Sequence, residues 1–141
     1  MGRRIDVMPG FCILWAFLIL VLPLRMILAA GLAAVFHELC HILAIRLSGG
    51  QVITLTIGAG GMVLETTLMT PGREMLCALA GPGGSLLLVL LYPVFPLLAF
   101  CGLIQGCFNL LPIYPLDGGR ALGLLKKTLQ REGFRSTIGG E

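Results

Sequence analysis

Val35-Phe36-His37-Glu38-Leu39-Cys40-His41-Ile42-Leu43, residues 35–43, sets three ionisable side chains in the middle of an otherwise apolar run. The run extends over about residues 26–47. As a helix it rises about 30 Å, enough to cross the hydrocarbon of a bilayer. Ionisable groups at that depth cost several kcal/mol unless they are paired or functional. His37 and His41 are four residues apart, so on a helix both imidazoles face one point. H-E-x-x-H is a pattern in which two imidazole nitrogens hold zinc and the carboxylate takes a proton from the attacking water. His37 and His41 are the only histidines in the chain. The alternative, two hydrogen-bonded core histidines, belongs more naturally to a soluble interior than to a membrane span.

The rest of the chain agrees with a membrane setting. Of 141 residues, 57% are hydrophobic and 12% charged, with a mean hydropathy of +0.96. A water-soluble domain of this length is closer to half apolar and a quarter charged. One compact membrane domain over residues 1–141 is expected, with no room for a second. The net charge of +3 comes largely from residues flanking the apolar blocks and from the C-terminal tail. That distribution reads as topology, not as a basic face for nucleic acid. Five cysteines (Cys12, Cys40, Cys77, Cys101 and Cys107) show no paired spacing and read as small buried hydrophobes without disulfides.

The expected fold is an all-α membrane protein. About four transmembrane helices, near 8–24, 26–47, 75–96 and 97–125, carry a short β-hairpin between the second and third. The first segment is preceded by Arg3 and Arg4 and followed by Ala29, Ala30 and Gly31, so a cleaved signal is the alternative to an uncleaved helix. Residues 51–68 alternate Ile53, Leu55 and Ile57 with Val52, Thr54 and Thr56, then pass through Gly58-Ala59-Gly60-Gly61 into a second β-branched run. That is a hairpin signal. Basic residues at Arg3, Arg4, Arg46, Arg73, Lys126 and Lys127 place both termini and the hairpin on the cytoplasmic side, with Arg25 alone opposed. The tail 126–141 is polar and reads as a fraying helix end.

A catalytic zinc needs a third protein ligand and an open fourth position. Asp117 is the candidate. The only other aspartate, Asp6, is near the N-terminus, and Glu65 and Glu74 are interfacial. His37 precedes Arg46 by nine residues and Asp117 precedes Lys126 by nine. If both stretches are helical, both side chains lie ~13 Å inside the same face. The alternative for Asp117 is a helix cap beside Gly118. Pro112 and Pro115 break the fourth segment, and broken backbone at membrane depth implies a polar cavity.

Phe108-Asn109-Leu110-Leu111-Pro112-Ile113-Tyr114-Pro115-Leu116-Asp117-Gly118-Gly119-Arg120 resembles the N-x-x-P-x-x-x-L-D-G-G-R signature of site-2 proteases. Ala80-Gly81-Pro82 is similar to a further landmark of that family, and the likeness spans about residues 30–125. The resemblance implies an intramembrane zinc metalloprotease that cuts membrane-embedded or membrane-bound proteins. The short length looks most similar to the bacterial sporulation branch, in which a transcription-factor precursor is cut. It implies one catalytic zinc on His37, His41 and Asp117, with Glu38 as general base. It further implies that Asn109 holds the substrate carbonyl or developing oxyanion; the alternative is a helix–helix hydrogen bond. It places the chain in a bacterial cell membrane and says nothing of oligomeric state.

Where the resemblance leads one to expect an Asn three residues after Ala80-Gly81-Pro82, this chain has Ser85. The hairpin has two readings: Val52–Ile57 as an exposed strand that receives an unwound substrate segment, or a plug over the site. Two rival functions are a metal-ion transporter, which would need ligands along a continuous path, and an idle relative, which would have lost Glu38 or a ligand.

Overall fold

The computed structural model describes residues 4–7, 9–58, 61–67 and 70–138. A short strand β1 (Arg4–Val7) precedes two helices, α1 (Pro9–Val21) and α2 (Leu24–Leu47). A hairpin follows, of β2 (Val52–Gly58) and β3 (Gly61–Thr66). Then come α3 (Pro71–Leu87), a 3-10 turn (Leu88–Leu91), α4 (Pro96–Asn109) and α5 (Asp117–Ile138). Arg3, Ala59, Gly60, Leu68, Met69 and residues 139–141, with residues 1, 2 and 8, lie outside the described residues.

Local chemistry accounts for the helix limits. Pro23 caps α2 in an extended conformation, and Pro71 and Pro96 open α3 and α4, where a missing N–H costs nothing. At the far end of α2, Gly49 adopts φ 77°, a left-handed conformation that suits glycine. The N–H of Gly49 bonds the carbonyl of Arg46, and that of Gly50 the carbonyl of Ile45. This is a Schellman stop. Arg73 adds a hydrogen bond to the Ser48 carbonyl, tying the end of α2 to α3.

The fold is mostly helical, as expected, but its strands number more than the hairpin alone. β1, β2 and β3 form a three-stranded sheet in that order. The expected hairpin is present, with Gly58 opposite Gly61 and Val52 opposite Thr66. β1 pairs parallel to β2, Arg4 beside Thr54 and Val7 beside Ile57. Four residues are too short to announce a strand, and β1 exists because β2 offers it a ladder. The pairing puts the N-terminal strand at the same end of the bundle as the hairpin. It also corrects the reading of Val52–Ile57 as a strand open to another chain, since β2 is flanked on both sides.

The segment expected at 97–125 is two helices separated at 110–116, where Pro112 and Pro115 stand and the Tyr114–Pro115 bond is cis. The tail expected to fray from 126 is the continuation of α5, helical to Ile138. Two helical stretches, Leu24–Leu47 and Pro71–Leu91, are long and apolar enough to cross a membrane; Cys12–Val21 and Pro96–Asn109 are apolar but shorter.

Buried positions on α2 are Ala33, His37, His41 and Ile45, each four residues from the last, so one narrow stripe faces inward. Leu28, Leu32, Val35, Leu39 and Leu43 point outward. The interior is made largely of small residues, among them Ala33, Ala78, Gly84, Ala99, Gly102, Gly106 and Ala121. Such residues bring helices close where lipid removes the hydrophobic drive to associate. A Cβ on Gly102 would meet the Ser85 carbonyl at 2.7 Å, and one on Gly106 the Pro82 carbonyl at 3.1 Å, so α4 lies against the backbone of α3. Of the cysteines only Cys77 is buried; Cys12 and Cys107 are exposed on the apolar exterior, contrary to the expectation of burial.

Candidate metal centre

α2 and α3 run antiparallel, His41 lying beside Cys77 and Gly81, and His37 beside Ser85. α5 brings its first residue, Asp117, against the same stripe. Three ligand atoms converge there. His37 Nε2 is 3.2 Å from Asp117 Oδ2, His41 Nε2 is 3.1 Å from the same oxygen, and the two Nε2 atoms are 3.2 Å apart. Donors held about 2.0–2.1 Å from a tetrahedral zinc ion lie roughly 3.3–3.4 Å from one another, so the triangle fits such an ion. All three residues are buried, His37 to 2% exposure.

The opposite ring nitrogens are tied outward. His41 Nδ1 is 2.7 Å from the carbonyl of Cys77, which only accepts, so Nδ1 carries the proton and Nε2 presents a lone pair. His37 Nδ1 is 2.8 Å from the hydroxyl of Ser85. Metal-ligating histidines commonly bond through their second nitrogen in this way. Pro82 lies inside α3 and offers no N–H to the carbonyl of Ala78, so the ladder is interrupted next to the Cys77 carbonyl that receives His41. A Cβ at Gly81 would overlap the His41 ring, and one at Gly84 would overlap Cys40. Ala80-Gly81-Pro82 is thus the place where α3 is thinned to admit an imidazole.

Asp117 reaches the site because the backbone before it turns tightly. Cβ atoms on Gly118 and Gly119 would overlap the carbonyls of Leu110 and Ile113 respectively, so the paired glycines let α5 start directly against the 110–116 connection. Its place at a helix N-terminus suits a carboxylate. The second oxygen, Oδ1, is 3.9 Å from Arg120 Nη1 one turn on, leaving Oδ2 to the imidazoles.

The other expected site residues stand differently. Glu38 follows His37 on α2, is partly buried, and has one carboxylate oxygen with essentially no solvent contact. Asn109 is the last residue of α4, and its amide donates back to the Gln105 carbonyl at 3.1 Å. Among the described residues it makes no hydrogen bond to His37, His41 or Asp117. Ser85 is the residue the sequence undervalued, since the departure from Asn placed its polar contact in doubt. Cys77, Gly81 and Ser85 recur every four residues, a stripe of small side chains on one helix face that could have revealed it.

No protein-family model matches the sequence, and no curated protein matches it. The fold does have a match among solved structures. It is similar to the Site-2 Protease from Methanocaldococcus jannaschii, with a TM-score of 0.71 and 24% identity, over 90% of this chain and 69% of that one. The chain has the site-2 protease fold, and His37, His41 and Asp117 form a group able to hold a metal ion.

Proposed function

We propose that this chain is an intramembrane zinc metalloendopeptidase that hydrolyses peptide bonds of membrane-embedded or membrane-associated proteins. One observation carries the reading: two imidazoles from α2 and a carboxylate from α5 meet at 3.1–3.2 Å, with both outer ring nitrogens engaged elsewhere. His37, His41 and Asp117 would hold one zinc. When bound, zinc supplies a Lewis acid that lowers the pKa of water and polarises a carbonyl.

Glu38 accepts the proton of the attacking water and returns it to the leaving amine. Asn109 donates its amide N–H to the scissile carbonyl as negative charge develops there, exchanging its bond to Gln105 for one to substrate. Arg120 keeps the Asp117 carboxylate turned with Oδ2 inward.

The apolar segments cross a bacterial cell membrane four times as one domain over residues 1–141, with both termini cytoplasmic. The substrate is a membrane-tethered protein such as a transcription-factor precursor, as in the sporulation branch. Purified protein and its Glu38→Gln variant should bind equal zinc, while co-expressed membrane-tethered precursors are released by the parent alone. Undiminished release by the variant would remove Glu38 from the base role. Absence of zinc from the parent would end the metalloprotease reading.

A further inference from the structure

The two imidazoles are held by unlike partners, both on α3. Cys77 and Ser85 are eight residues apart, about 12 Å along a helix axis, whereas the four-residue step from His37 to His41 covers only about 6 Å. The two α3 groups therefore bracket the imidazole pair from outside. Each draws an Nδ1 outward and turns the corresponding Nε2 inward. For His41 the partner is a main-chain carbonyl, which fixes the tautomer whatever side chain stands at position 77. For His37 it is a hydroxyl, which either donates or accepts.

Resting on the metal reading of the site, we propose that Ser85 is a positioning residue: its hydroxyl oxygen accepts a hydrogen bond from His37 Nδ1–H and so presents the Nε2 lone pair beside Asp117 Oδ2. The placement of Ser85 is itself enforced. Its side chain has 0% exposure. Its carbonyl lies where a Cβ on Gly102 would sit at 2.7 Å, so the bare backbone of α4 presses on that turn of α3. The 2.8 Å contact from Oγ to Nδ1 is then the last link from α4 through α3 to the ligand. Serine at this position has the shortest reach that still offers an acceptor. Alanine fills nearly the same volume without one. Losing the bond frees the ring to rotate and to carry its proton on Nε2, where it would face the ion.

The test uses the full chain in detergent with its two histidines labelled with 15N and purified without a histidine tag, so that only His37 and His41 contribute. Ser85→Ala should retain the parent's helical circular dichroism and weaken zinc, measured against a competing chelator, by about 10- to 100-fold. In the zinc-loaded proteins the His37 Nδ1 resonance should shift, while that of His41, held by the Cys77 carbonyl, should stay in place. A purely structural role for Ser85 would move both resonances together, and that result overturns the proposal. Unchanged zinc affinity with neither resonance moved overturns it too, while leaving the metal site intact. A parent that takes up no zinc would defeat both readings at once.

Discussion

Gly81→Ala puts one methyl group into the wall of the site, and its effect can be worked from distances. The added Cβ would lie 2.5 Å from Cε1 and 2.7 Å from Cδ2 of His41, and closer still to Nε2. Carbons in contact sit ~3.5–4.0 Å apart, so the overlap is roughly 1 Å. The ring has little room to yield, being anchored to the Cys77 carbonyl at 2.7 Å and to Asp117 at 3.1 Å. α3 cannot easily retreat, since Gly102 and Gly106 of α4 already meet its backbone. A ligand displaced by about 1 Å should cost on the order of 100-fold in both zinc affinity and turnover. Gly83→Ala is the matched control. It lies two residues further along α3, and its Cβ would meet nothing within 4 Å. Replacing glycine in a helix without a clash should stabilise by ~0.5–1 kcal/mol and leave zinc bound. Chelator competition on both variants, followed by cleavage of a membrane-tethered precursor, reads the difference. Equal zinc affinity in Gly81→Ala, Gly83→Ala and the parent would refute the claim that residue 81 must be bare to admit His41.

Asp117→Asn exchanges the acceptor-only carboxylate between two imidazoles for a neutral amide; metal content in purified protein should fall, and unchanged zinc would rule it out as a ligand. Reporter fusions at each end of the chain should be active only as cytoplasmic domains, and an external C-terminus would overturn the four-span arrangement.

How much of this was legible beforehand depends on the range of the physics. His37, Glu38 and His41 sit on one helix, so a four-residue step was enough to bring the imidazoles together. Asp117 is far along the chain, yet its spacing from a flanking cation, equal to that of His37, raised the expectation that it meets the imidazoles, and it does. Ile53, Leu55 and Ile57 announced β2 by alternation. β1 was hidden because Arg4–Val7 has no local pattern of its own and is defined by a ladder with residues 54–57. That same pairing closed the strand edge that the sequence alone left open. Ser85 was read by comparison with asparagine, when its meaning lay in a hydroxyl aimed across the helix interface at His37. Asn109 was placed at the right break in the chain, but the bond it makes is to Gln105, which no spacing announces. The length of α5 was misjudged because polar composition after Lys126 was taken for a loss of helix, although solvent-exposed helices are ordinarily polar.

In the proposed four-span arrangement, the modest height of α1 and α4 has a consequence for the surrounding lipid. With 13 and 14 residues, each rises only about 20 Å, against ~30 Å of hydrocarbon. With both helices spanning, acyl chains beside them would have to compress, at a cost of fractions of a kcal/mol per ångström of mismatch. The bilayer would dimple around this protein, bringing the headgroup region and its water nearer to the buried histidines. Thicker, stiffer membranes would resist that deformation, and the chain should partition toward thinner, more pliable ones.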